Sequence, residues 1–384
     1  MNEKPTSITA AQELIRSAKG PILVRGGGSK PALSDPQNGT TAVAMGGLRG
    51  ILAYEPAEYT FTALAGTAVA EVVAVLAENG QYLPFDPLLV AAGATLGGTV
   101  AANTAGSGRF RYGGVRDFIL GIAFVDGRGQ LVRSGGKVVK NAAGFDLPKF
   151  FVGSLGRYGL LVELTFKVFP RPQTYQTLQV AYPDLAAALQ ATFRLAQTSL
   201  EMDAVDLLPG EGGCTLLLRL GGLAAVLPER VARLSQFLQA ETAATETAVL
   251  TEEMDTRLWQ EANSLSWAPP GAAVVKIPLA PKQAPALDEQ LDSWRRRYSC
   301  AANVAWVAAP TMAAPTMAAP TMAAPDTAFL HQTLCGLGLA GLQLSGPAGD
   351  PILGHPILGQ RRGLALAQRV KQALDPDAVF GTAV

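Results

Sequence analysis

The stretch "PILVRGGGSK" (residues 21–30) decides how this chain is read. An apolar strand, "PILV", runs straight into Gly26, Gly27 and Gly28, and Ser29 and Lys30 follow at once. Glycine lets the backbone bend with no Cβ in the way, so successive N–H groups can converge on an anion such as a phosphate. The loop is not a Walker A loop, which needs four residues between its first glycine and Gly-Lys-Ser/Thr. Nor is it a dinucleotide fingerprint, because G-x-G-x-x-G is absent and Pro31 and Pro36 prevent a following helix. Taken alone, it reads equally well as a glycine-rich structural turn.

Two more glycine-rich elements lie further along. "AGATLGGTVAANTAGSG" (92–108) carries Gly93, Gly97, Gly98, Gly106 and Gly108 among small residues. It reads as a long loop (91–108) on which a flat or extended ligand can lie; close packing of a helix on a sheet is the competing reading. "KNAAGFDLPKFFVGSLGRYGLL" (140–161) repeats glycine every third residue at Gly153, Gly156 and Gly159. Its Asn141 and Asp146 need partners wherever they are enclosed.

The surrounding pattern is mixed helix and strand. A short helix is predicted over 11–18, ended by Gly20-Pro21, and another from about Val69 to Glu78, stopped by Asn79-Gly80. "FILGIAFVDGRGQLVRSGG" predicts a hairpin turning at Asp126-Gly127. In "LLVELTFKVFPRP", Val162, Leu164, Phe166 and Val168 alternate with polar residues, a half-buried strand that Pro170 and Pro172 end. A domain boundary is placed there. Beyond it come a strand at 214–220, helices at 228–240 and 286–297, and no chemical motif. The five-residue repeat "AAPTMAAPTMAAPTMAAP" (308–325) predicts an extended linker, since its prolines forbid helix and remove sheet donors. In the tail, Leu366, Val370 and Leu374 recur at helical spacing, with Arg369 and Lys371 turned away and Asp375-Pro376 as the stop.

Lys plus Arg and Asp plus Glu number 31 each, and no long basic run appears, which argues against a nucleic-acid or anionic-membrane footprint. No apolar run approaches the length of a membrane span, and the scattered charges of residues 1–20 do not form a signal peptide. The three cysteines, Cys214, Cys300 and Cys335, are too few and too scattered for a disulfide framework or a metal cluster. A cytoplasmic location is the expectation.

Read in series, "RGGGSK", "GATLGGTVA", "VRDFILG", "VVKNAAGFDLPKFFVGSLG" and "KVFPRP" resemble the FAD-binding domain of the vanillyl-alcohol oxidase (PCMH-type) flavoproteins. Within it, they are most similar to the FAD-binding subunits of bacterial glycolate oxidases. The resemblance is dense over about residues 20–172, faint through 173–350, and returns at "VKQALDPDAVF". It implies an α+β fold. A PCMH-type FAD-binding domain of two α/β subdomains (1–172) precedes a mixed α/β cap domain (173–305), the repeat linker (306–326) and a segment (327–384) whose helix packs back on the FAD domain. By resemblance, Arg25, Gly26, Gly27, Gly28, Ser29 and Lys30 hold the pyrophosphate of FAD. Gly93, Thr95, Leu96, Gly97 and Gly98 approach the flavin and ribityl side, with Asn103 a hydrogen-bonding contact. Gly153, Gly156 and Gly159 line the adenosine and diphosphate end. Ser29 stands where covalent members carry a histidine, which implies non-covalent FAD, and Gly381 stands where relatives have Asn-Pro.

The resemblance also implies glycolate or a similar 2-hydroxy acid as substrate. Its implied partners are a larger flavin subunit and an iron–sulfur subunit, through which the chain is held at the inner face of the membrane or stays cytoplasmic. Oxidising glycolate requires hydride removal at C2, a base for the hydroxyl proton and an anchor for the carboxylate. His331 lies in an apolar context and His355 in a proline turn, so neither reads as that base, and no residue is assigned a catalytic role. Arg109, Arg111 and Tyr112 are the weak candidates, and Arg116-Asp117 reads as a structural ion pair. The expectation is a division of labour in which the partner oxidises glycolate and this chain carries a second FAD. A self-sufficient 2-hydroxy-acid dehydrogenase and a flavin-free assembly subunit remain the alternatives.

Overall fold

Leu160, Val162, Leu164 and Phe166 are fully buried on one side of the strand Leu160–Lys167, which forms the middle of a five-stranded antiparallel sheet. The computed structural model describes residues 2–34, 40–136, 145–310, 327–346 and 356–381. Asn141, His355 and most of the proline-alanine repeat lie outside the described residues. Two compact units divide the chain: Met1–Gly106 with Tyr112–Arg171 and Arg362–Val384, and Ser107–Arg111 with Pro172–Arg361.

The first unit begins with α1 (Ile8–Ser17), capped by the Ser7 hydroxyl, then β1 (Ile22–Arg25) and β2 (Thr41–Ala44). β1 and β2 pair in parallel in a three-stranded sheet that Asn2–Glu3 completes. The larger sheet has the order β3–β4–β7–β5–β6, where β3 is Ile51–Glu55, β4 Thr60–Leu64, β5 Ile119–Val125, β6 Leu131–Gly135 and β7 Leu160–Lys167. Helix α2 (Val69–Glu78) buries Val69, Val72 and Leu76, one stripe at helical spacing. The core around Phe61, Phe85 and Phe166 holds its rings 5.7 and 6.1 Å apart, and each buried ring contributes roughly 1.5–3 kcal/mol.

The second unit is a nine-stranded antiparallel sheet of order β11–β8–β10–β9–β13–β14–β12–β15–β16. Its strands are β8 (Thr174–Tyr182), β9 (Ala204–Gly210), β10 (Gly213–Gly222), β11 (Glu246–Val249), β12 (Val274–Pro278), β13 (Arg295–Ser299), β14 (Val304–Ala308), β15 (Ala340–Gln343) and β16 (Ile357–Gly359). Leucines and valines on one face of these strands pack against helices Leu185–Leu195, Leu227–Glu241, Ala284–Gln290 and Thr327–Gly336. The opposite face carries helix Glu252–Ser264 through Trp259 and Ala262.

The mixed α+β class and the hairpin stand, and the structure corrects several details. The helix expected over 286–297 ends at Gln290, and Arg295–Ser299 is a strand inside the large sheet. Pairing with β9 and β14, and the tie of Arg296 and Tyr298 to Asp288, outweigh the local helical pattern. The expected loop 91–108 contains a helix, α3 (Leu96–Ala102), capped by Thr95. The hairpin turn is built by the Asp126 carboxylate, which accepts from the N–H groups of Arg128 and Gln130, with Gly129 at φ +73°. Asp146 is exposed and caps the helix Leu147–Phe151 instead of seeking a buried partner. On the C-terminal helix (Leu364–Leu374) Arg369 is exposed and Val370 and Leu374 are half-buried as expected, but two positions differ: Leu366 is 65% exposed, whereas Lys371 is buried against Asp375 and the Arg157 carbonyl. That ion pair turns Lys371 inward. Residues 327–361 group with the second unit, so only the stretch from Arg362 returns to the first.

Candidate functional site

The three glycine-rich elements converge within the first unit. A Cβ on Gly27 would overlap the Gly93 carbonyl oxygen and lie 2.9 Å from its carbon, and one on Gly26 would overlap Thr95 Oγ1. The loop after β1 therefore lies directly on the segment that leads into α3. Gly28 adopts φ +72°, a left-handed conformation that favours glycine, and the Arg25 guanidinium lies over it. At the other end of α3 the carbonyls of Val100 and Ala101 accept from the N–H groups of Gly153 and Leu155. Gly153 and Gly156 hold φ +88° and +71°; Gly156 sits against Val24 of β1 and Gly159 against Phe124.

Backbone donors separate these elements. The N–H groups of Leu96, Gly97 and Gly98 donate to Thr67 O, Ala65 O and Thr95 Oγ1 at 3.0, 2.8 and 3.2 Å. The first turn of α3 is thus already satisfied, and Gly97 is a packing glycine whose added Cβ would lie 3.0 Å from Ala65 Cβ. The close-packing reading holds at Gly97, whereas Gly98 faces open space beyond Thr95 Oγ1. Asn103 caps α3 in the left-handed region at φ +48°. By contrast, among the described residues the N–H groups of Gly27, Gly28 and Ser29 donate to no protein acceptor.

Lys30 follows Ser29 and reaches its hydroxyl. It is 5% exposed, its Nζ lies 3.3 Å from Ser29 Oγ, and burial alone pushes its amine down to about 8. Among the described residues, the buried hydroxyls of Thr99, Thr104 and Ser154, in the α3 region, have no protein partner. Three free N–H groups, a buried amine and orphaned hydroxyls suit a ligand rich in phosphate and hydroxyl oxygens, so the residues present fit FAD. The hydroxyls escaped the sequence reading, although Thr95 and Thr99 sit one helical turn apart in the small-residue run.

The weak catalytic candidates do not form one set. Arg111 pairs with Glu201 (2.7 Å) and Asp203 (3.3 Å) in the second unit. Tyr112 packs edge-on against Phe169 in the first unit. Asp117 accepts from the Gly114 N–H as a local cap. His331 is structural: its Nδ1 accepts from the Gly359 N–H at 3.0 Å and its Nε2 lies 3.6 Å from Cys335 Sγ.

The second unit holds a buried polar layer that the sequence reading missed. Asp206, on β9, is 0% exposed and accepts from Arg297 Nε (2.6 Å), Ser107 Oγ (2.7 Å), Ser299 Oγ (2.8 Å) and the Cys300 N–H (3.3 Å). On the same face Arg219 pairs with Asp255 and lies over Tyr175 and Trp259. Lys276 of β12 is buried too, and burial, reinforced by the charge of Arg109, pushes its amine down to about 7. Because an unfolded lysine binds its proton up to about 10.4, the unfolded chain holds more protons between the two values. Folding stability is expected to rise from pH 7 toward pH 10 by up to one proton's slope. In Lys276→Met that slope should shrink, as read from urea midpoints across the range; an unchanged slope would remove Lys276 as its source. In "VVKIP" Lys276 alternates with Val275 and Ile277, and nothing in that stretch signals that its face is covered.

Comparison with known proteins agrees with the glycine geometry. Residues 3–135 match the model of a family described as FAD binding domain. The chain is 42% identical over 163 residues to glycolate oxidase subunit GlcE of Escherichia coli (strain K12), covering 42% of this chain and 46% of that protein. It is 32% identical over 171 residues to glycolate oxidase subunit GlcD of Bacillus subtilis (strain 168), covering 44% of this chain and 36% of that one. With D-2-hydroxyglutarate dehydrogenase of Stutzerimonas stutzeri (strain A1501) it shares 28% identity over 206 residues, 53% of this chain and 44% of the relative. The matches thus span less than half the length of these relatives. Among solved structures, alkyldihydroxyacetonephosphate synthase superposes over 98% of this chain and 76% of its own, with a TM-score of 0.66 at 14% identity, a likeness of fold.

Proposed function

We propose that this chain, whose residues 3–135 form an FAD binding domain, is the FAD-binding subunit of a glycolate-oxidising complex. The observation that carries the reading is the loop Gly26–Lys30, with three free N–H groups and a buried amine, in a chain similar to GlcE over 163 residues. Arg25 to Lys30 would hold the pyrophosphate. Gly93, Thr95, Leu96, Gly98 and Asn103 would face the flavin side through bare surface and side chains, since the α3 donors are already used. Gly153, Gly156 and Gly159 would border the adenosine end. FAD supplies the electron-accepting chemistry when bound. Ser29 offers no ring nitrogen for attachment, so the cofactor would be held non-covalently.

In this reading a larger flavin subunit oxidises glycolate, and an iron–sulfur subunit carries electrons onward. Among the described residues no group of three or more His, Cys, Asp or Glu could hold a metal ion, and no helix is long and apolar enough to cross a membrane. The engagement of Arg111 with Glu201 and Asp203 supports the division of labour, because a substrate carboxylate would have to displace both. Anaerobic addition of glycolate to the flavin-loaded chain tests this. The flavin absorbance should stay oxidised with the chain alone and bleach once the larger flavin subunit is present. Bleaching by the chain alone would make it a self-sufficient dehydrogenase and put Arg109 and Arg111 first for replacement.

A further inference from the structure

Lys371 and Asp375 tie distant stretches of the first unit together. They are 7% and 1% exposed, on and just after the helix Leu364–Leu374. Lys371 Nζ donates to Asp375 Oδ2 and, at 2.6 Å, to the carbonyl of Arg157. Asp375 in turn accepts from the N–H groups of Val379 and Phe380, each at 2.8 Å, which folds the chain back after Pro376. That turn presents the Val379 carbonyl to the N–H of Ile22 (2.6 Å), the first residue of β1, and buries Phe380 with Ala11, Ile15, Ile22 and Val43. The Leu374 carbonyl accepts from the Gly127 N–H at 2.8 Å, and a Cβ on Gly127 would overlap Asp375.

Two of these contacts fall on the borders of the glycine site. Ile22 opens the strand that leads into Gly26–Lys30. Arg157 lies between Gly159 and Gly156, which sits against Val24 of that strand. The stretch Gly153–Gly159 is fixed at one end by α3, through the bonds of Gly153 and Leu155 to Val100 and Ala101, and at the other by β7, which begins at Leu160. Between these ends Lys371 holds the Arg157 carbonyl. Three glycines leave the stretch little conformational preference of its own, so that bond sets where its middle lies.

We infer that the segment Leu364–Phe380 is a clasp on the dinucleotide site, with Lys371 its positioning residue: docking of the segment and binding of the adenosine half of a dinucleotide strengthen each other. This rests on the reading of these glycines as the adenosine border of an FAD site, and adds to it the residue that sets that border. Lys371 acts through the Arg157 carbonyl, not on the ligand. Without that bond the stretch samples more conformations, and a ligand must order it again on binding, which lowers affinity. Coupling of this kind is reciprocal: a ligand must hold the clasp closed by the same factor by which the clasp aids the ligand.

Lys371→Met keeps the apolar stem and removes both bonds of the ammonium. It should bind FAD and ADP roughly 10-fold more weakly, as expected for a coupling carried by one charged hydrogen bond. The experiment titrates both ligands into the flavin-free full chain and the variant, well below either melting temperature. A second measurement needs no substitution. The N–H groups of Ile22, Gly127, Val379 and Phe380 report docking of the clasp. On ADP binding their hydrogen exchange should slow roughly 10-fold more than that of the N–H groups of α2.

Two failures are distinguishable. If the unaltered chain binds neither FAD nor ADP, the reading of the glycines as a dinucleotide site falls and the clasp with it. If it binds both, and Lys371→Met binds them equally well while melting lower, that reading survives and Lys371 is a structural ion-pair residue only. Exchange at the four reporters that slows no more than in α2 would overturn the coupling in the same way. Should Lys371→Met fail to fold, the exchange result alone decides.

Discussion

Gly27→Ala is expected to purify as a colourless chain, with FAD affinity lowered at least about 100-fold, the equivalent of about 3 kcal/mol. The cause is steric: the new methyl group would occupy the position of the Gly93 carbonyl oxygen, and both partners are backbone, so neither can rotate away. The two loops must separate, which displaces the three free N–H groups together. Gly98→Ala is the control for stability alone. Its Cβ meets only Thr95 Oγ1 at 3.1 Å, and alanine within a helix gains up to about 1 kcal/mol over glycine. That variant should melt no lower than the parent, whereas its FAD affinity should fall, because Gly98 is placed on the flavin side. Equal FAD affinity for Gly27→Ala and the parent, read by fluorescence titration, would refute the packing argument.

Asp206→Ala is expected to cost about 3–5 kcal/mol in unfolding free energy, because it leaves Arg297 as a buried charge without its carboxylate. Four donors lose their acceptor in one step: Arg297 Nε, Ser107 Oγ, Ser299 Oγ and the Cys300 N–H. At a few degrees per kcal/mol for a unit of this size, the melting temperature should drop by about 10 °C. The double change Asp206→Leu with Arg297→Met should recover much of that loss, since replacing both partners removes the orphaned charge. Denaturant midpoints of the three chains decide it. A loss under about 1 kcal/mol for Asp206→Ala would mean water reaches the layer.

The sequence made the first unit legible because its signals are local. Alternation at Val162, Leu164 and Phe166 predicts a one-sided strand, and the stripe Val69, Val72, Leu76 predicts a helix; both stand in the structure. The glycine loop was legible as exposed backbone for the same reason. What resisted reading depends on partners far along the chain. Arg295–Ser299 carries three arginines and looks like the end of a helix until β9 and β14 pair with it. Lys371 looks like a solvent-facing residue until Asp375 supplies its counter-charge within the fold. The run 92–108 reads as loop because its residues are small, yet small residues also let α3 pack with Gly97 on Ala65. Burial of Asp206 has no local signature at all, since its partners Ser107, Arg297, Ser299 and Cys300 lie many positions away.

The central claim is that this chain holds FAD, non-covalently, on the loop after β1. The most direct measurement is the visible spectrum of the purified chain, followed by acid precipitation and identification of any flavin released. The account predicts a flavin spectrum, about one flavin per chain, and recovery of intact FAD in the supernatant. A chain that stays colourless after incubation with excess FAD would contradict it, and flavin that remains with the precipitate would contradict the non-covalent attachment that Ser29 implies.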